Sequence, residues 1–166
     1  GSRFDKEAVG SGDDRYYHLV LLAENDIGYH NLMKIVSRGF TEGYYYKPRV
    51  DKELLRAHSG GLIALSACIQ GEVPRSFLDR GEEESRKILT QYLDIFGKEN
   101  FYLEVQYHGI EEQKLVNRQL VKFAREFELP LVATNDIHYV RKEHARAQDV
   151  LLCICLLYTS PSPRDA

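Results

Sequence analysis

The chain has 166 residues, 43% of them hydrophobic and 28% charged, with a formal net charge of −3. That is enough apolar material for one core, and it excludes nucleic-acid binding driven by bulk positive charge alone. Three cysteines are too few for a disulfide framework, and no apolar run reaches the roughly eighteen residues of a membrane span, so the expected compartment is the reducing cytoplasm.

Gly1 to Asp14 is rich in Gly, Ser and charge and does not begin with Met, which reads as a loop entered from the middle of a longer protein. Tyr17 to Ala23 (YHLVLLA) has the length and composition of a strand. Asn25-Asp26 then stands where a helix cap is expected, ahead of the helical pattern Ile27 to Phe40. Gly43 to Val50 (GYYYKPRV) is a loop with three tyrosines and Pro48. Asp51 caps a short helix through His58, which Gly60-Gly61 ends.

Leu62 to Ala67 reads as a second buried strand arriving at Cys68, and Gly71 to Gly81 carries a short helical pattern. Glu82 to Phe96 is amphipathic, with Ile88, Leu89, Tyr92, Leu93 and Phe96 at helical spacing. Phe101 to Val105 predicts a third strand, Glu111 to Phe127 a long helix, Leu129 to Thr134 a fourth strand, and a last helix starts near Lys142. Strands alternating with helices imply an α/β fold with about four parallel strands, either an open doubly wound sheet or part of a barrel.

In both architectures chemistry collects at the carboxyl ends of the strands. Asp136 and His138 follow the fourth strand two apart, so they point to one face of an extended chain and suit zinc, manganese or iron. The bland alternative is a turn cap and a hydrogen-bonded histidine. Cys68 follows the second strand and reads either as a small buried hydrophobe or as a thiolate ligand. His18 stands at the start of its strand, where a structural role is the commoner one. His108 follows the third strand in a turn, which leaves a site role and a turn role open, while His30, His58 and His144 fall in helical patterns. Tyr45, Lys47 and Arg49 form a possible nucleic-acid contact by base stacking and phosphate pairing, against the plainer reading of a loop packed by its own aromatics.

The final stretch Cys155 to Asp165 (CLLYTSPSPRD) breaks the composition and resembles a sequencing-library adapter translated in frame. Residues 1–154 are therefore expected to be the natural segment and 155–166 a foreign tail, so that Cys153-Ile154-Cys155 is not a metal motif.

Several stretches taken together, Tyr17-His18-Leu19-Val20-Leu21-Leu22-Ala23, Gly28-Tyr29-His30-Asn31-Leu32, Lys47-Pro48-Arg49-Val50-Asp51, Gly61 to Cys68, and Ala133-Thr134-Asn135-Asp136-Ile137-His138-Tyr139, closely resemble the PHP (polymerase and histidinol phosphatase) domain family, in the branch carried by the bacterial DNA polymerase III alpha subunits. The resemblance implies an incomplete distorted β/α (TIM-like) barrel of the PHP type. It implies divalent metals, up to three in the complete domain, with His18, Cys68, Asp136 and His138 at ligand positions. The family's opening His-x-His strand and the polymerase palm would lie outside this sequence.

Implied activities are DNA-directed DNA polymerisation (nucleotidyltransferase) by the parent protein and metal-dependent 3′-5′ exonuclease or phosphoesterase chemistry in the domain. Implied partners are DNA, a proofreading exonuclease subunit and a sliding clamp. The alternatives are a domain that only braces the polymerase and docks the exonuclease, or a PHP-family phosphatase. The isolated piece is expected to expose strand edges, to aggregate and to be inactive.

Overall fold

The computed structural model describes residues 1–6 and 16–156. Most of the loop expected over Gly1 to Asp14 and of the adapter-like stretch Cys155 to Asp165 lies outside the described residues. Two compact units are present, residues 1–134 and the segment that starts at Asn135.

In the first unit the elements run β1 (Val20–Ala23), α1 (Asp26–Thr41), α2 (Lys52–Ala57), β2 (Leu62–Leu65), α3 (Glu72–Arg80), α4 (Glu82–Phe96), β3 (Phe101–Val105), α5 (Glu111–Phe127) and β4 (Leu131–Ala133). Both expected caps form: the Gly28 N–H donates to the Asn25 side chain and the Leu54 N–H to Asp51, each at 3.0 Å. The strands make one sheet in the order β1-β2-β3-β4. Along β3, Phe101 and Leu103 are fully buried; Phe101 stacks on Tyr92 and Phe96 of α4. The alternate residues Tyr102, Glu104 and Gln106 therefore point to the other face of the sheet.

One expectation is corrected. β2, β3 and β4 are mutually parallel, but β1 pairs antiparallel with β2, Val20 opposite Leu65 and Ala23 opposite Leu62. The cause lies in the connection. α1 carries the chain away from the end of β1, and residues 42–61 carry it all the way back, so β2 begins where β1 stopped. The return is seen at Gly28, where an added Cβ would lie 1.8 Å from the Gly61 carbonyl oxygen, and at the Glu24 N–H, which donates to that same oxygen at 2.9 Å.

Arg3 ties the start of the chain to this return. It is 8% exposed, its Nη1 donates to Asp51 at 2.9 Å and its Nε to Glu42 at 2.7 Å. The second unit holds a 3-10 turn (Lys142–His144) and α6 (Ala145–Leu156). Among the described residues no helix is long and apolar enough to cross a membrane.

Candidate metal centre

The reversed direction of β1 decides where His18 lies. Because β1 is antiparallel, its amino end stands at the carboxyl end of β2, and the histidine that the sequence places at the start of its strand lies at that same edge. The loop after β2 then brings Cys68 to it. Ala67 takes a left-handed conformation (φ 63°), the Gly71 N–H donates to the Cys68 carbonyl at 2.8 Å, and Gly71 presses so close to Ser66 that a Cβ would meet its oxygen at 1.9 Å. The His18 N–H donates to the Gln70 carbonyl at 2.9 Å.

Cys68 Sγ and His18 Nδ1 are consequently 3.6 Å apart. Bond lengths of about 2.0 Å to nitrogen and 2.3 Å to sulfur at a tetrahedral angle place two ligands of one metal about 3.5 Å apart. The pair thus fits a shared metal ion, and a nitrogen with a sulfur favours zinc or iron over magnesium.

In the second unit Asp136 is left-handed (φ 48°), and His138 Nδ1 lies 2.7 Å from the Asp136 carbonyl oxygen. A carbonyl only accepts, so Nδ1 carries a hydrogen in this contact and Nε2 is the nitrogen turned away from it. That is how a ligating histidine is usually held. Among the described residues no group of three or more His, Cys, Asp or Glu side chains is assembled as a metal site.

Tyr45, Lys47 and Arg49 occupy one tight loop. The Tyr45 N–H donates to the Lys47 carbonyl at 3.1 Å, with Tyr46 left-handed at the tip (φ 60°). Arg49 lies over the Tyr45 ring and donates to the carbonyls of Gly43, Arg3 and Asp5, so its guanidinium works as a strut. Lys47 stands 4.7 Å over the Tyr16 ring. Lys47, Arg49, Tyr16, Tyr17 and His18 all line a cleft of about 940 Å³ in the first unit.

Residues 2–108 match the model of the PHP domain. The chain belongs to the PHP domain family. The proteins similar to this PHP chain include DNA polymerase III subunit alpha of Thermus aquaticus, 50% identical over 153 residues that make up 92% of this chain and 12% of the relative. The subunit of Treponema pallidum is 47% identical over 153 residues, 92% of this chain and 13% of the relative. That of Deinococcus radiodurans is 45% identical over 154 residues, 93% and 12%. The PHP chain spans about an eighth of the length of these curated relatives.

Two further histidines of the PHP chain, His108 and His30, have local partners. The His108 N–H donates to Gln113 Oε1 at 2.8 Å, which turns Gln113 Nε2 toward His108 Nδ1 at 3.0 Å, so this histidine is clamped to the head of α5. His30 Nδ1 donates to the Asp26 carbonyl one turn back. Cys153 is a half-buried thiol of α6.

A polar layer was missed by reading the sequence: Ser66, Glu104 and Gln106 are buried and Thr134 half-buried at the ends of β2, β3 and β4. The signal was present in Phe101 to Gln106 (FYLEVQ), where every second residue after Phe101 is polar or amphipathic, in the period of a strand with one polar face.

Proposed function

We propose that this chain is the C-terminal part of the PHP domain of a bacterial replicative DNA polymerase III alpha subunit, residues 1–154 being natural and the rest foreign. The parent would be a cytoplasmic DNA-directed DNA polymerase that works with DNA, a proofreading exonuclease subunit and a sliding clamp. Within it, His18, Cys68, Asp136 and His138 would hold divalent metal of a cluster of up to three, zinc, manganese or iron. The observation that carries this reading is the 3.6 Å approach of Cys68 Sγ to His18 Nδ1.

A bound metal of this kind supplies Lewis acidity toward a phosphate oxygen and lowers the pKa of water, the chemistry of 3′-5′ phosphodiester hydrolysis. The chain's own contribution is positional. The Gly71 and Gln70 hydrogen bonds orient Cys68 against His18, and the Asp136 carbonyl orients the His138 ring. In the cleft that includes His18, Lys47 and Tyr17 offer a cation and a ring to a single-stranded end.

The test compares the parent subunit, wild type against Asp136→Asn with His138→Ala, for metal content by mass spectrometry and for degradation of single-stranded 3′ ends. Loss of metal together with loss of degradation is expected. Equal metal content and equal degradation overturn the reading; lost metal with unchanged degradation assigns the domain a bracing role.

A further inference from the structure

On the sheet face away from α4, Glu104 and Gln106 are each 6% exposed, two residues apart on one side of β3. Glu104 Oε1 accepts from the Thr134 hydroxyl at 2.5 Å and from Gln106 Nε2 at 2.9 Å, and the Glu104 N–H donates to Ser66 Oγ at 2.9 Å. This ties β2, β3 and β4 together at their carboxyl ends. Two atoms are left over. Glu104 Oε2 and Gln106 Oε1 are buried and have no donor. Both can only accept, and one belongs to a carboxylate.

Buried acceptors without a donor cost on the order of 1–3 kcal/mol each, and more when charged, so two of them on hydrogen-bonded side chains of one sheet face mark a place where a donor belongs. Their position indicates which. Ser66, which takes the Glu104 N–H, is two residues from Cys68, on the strand edge where Cys68 meets His18. Imidazoles that ligate a metal hand their second ring N–H to a carboxylate or a carbonyl.

We propose that Glu104 and Gln106 are positioning residues of the metal centre, their two open oxygens accepting the ring N–H of a ligating imidazole. The proposal rests on the metal-binding reading above. Thr134 has a part in it, since its hydroxyl holds the carboxylate in the orientation that leaves Oε2 open.

The experiment uses the parent subunit with Glu104→Gln, Thr134→Val and the ligand variant Asp136→Asn with His138→Ala. Zinc and manganese affinities are measured by chelator competition, and thermal unfolding is followed with and without chelator. The proposal expects Glu104→Gln, which keeps the shape but can turn an amide N–H toward the incoming donor, to weaken metal binding about 10–100-fold. Thr134→Val should act in the same direction, and with chelator present Glu104→Gln, whose remaining carbonyl oxygen still accepts from Thr134 and Gln106, should unfold at a temperature similar to wild type. Glu104→Gln with wild-type metal affinity, while the ligand variant loses its metal, overturns the proposal and leaves the metal reading standing. The same result with a Tm lowered equally in both conditions also overturns it and assigns the oxygens to a structural donor. Metal retained by the ligand variant overturns both.

Discussion

Asp51 caps α2 and at the same time receives the Arg3 backbone N–H and guanidinium. Burial pushes its carboxyl up. The N–H groups of Arg3 and Leu54 and the Arg3 charge outweigh that and hold it below the usual carboxylate range. A carboxyl whose folded value is depressed stabilises the fold fully above its unfolded value of about 3.9, and that stabilisation is lost as pH falls through the folded value. Asn also caps helices well, so Asp51→Asn can keep the Leu54 cap while it removes the charge and one of the two accepting oxygens that face Arg3. The variant should be less stable than wild type at pH 7 and should lose less on acidification, as urea titrations read by pulse proteolysis at pH 7 and pH 3 would show. Parallel losses would mean that the charge of Asp51 contributes nothing. At this scale the sequence was a good guide to caps, since Asn25 and Asp51 act through side-chain atoms on residues three further on.

The docking of α1 against the head of β2 sets the direction of β1, and it depends on an approach only glycine allows. Gly28→Ala would put a Cβ 1.8 Å from the Gly61 carbonyl oxygen, backbone against backbone, with no side chain able to give way. A loss of about 3 kcal/mol is expected, the upper range for overpacking. Gly60→Ala is the control: its Cβ would meet only Asn31 Nδ2 at 3.6 Å, and a change within about 1 kcal/mol is expected. Equal unfolding midpoints for the two variants would show that α1 is not held by this contact. Element positions were readable from hydrophobic period and caps, with the strands coming out shorter than expected at β1, β2 and β4. The orientation of β1 was not readable, because it depends on a contact between residues 33 apart in the chain.

For the molecule as a whole, the sheet of the first unit has β1 and β4 as its edge strands among the described residues, and β1 exposes Leu22 at 51%. Edges of this kind pair with other chains, and an outward lysine discourages it. The 166-residue chain is expected to self-associate in sedimentation velocity at tens of micromolar, and Leu22→Lys to shift it toward monomer; a monomeric wild type would contradict this. By itself the sequence determined the α/β class, the helix starts and the residue types that favour a metal, because period, capping and donor chemistry are local properties written in neighbouring residues. Tertiary structure alone decided that His18 meets Cys68 and that Glu104 and Gln106 share a buried polar layer with Thr134. Those relations depend on strand direction and on which strands lie side by side, and no local pattern encodes either.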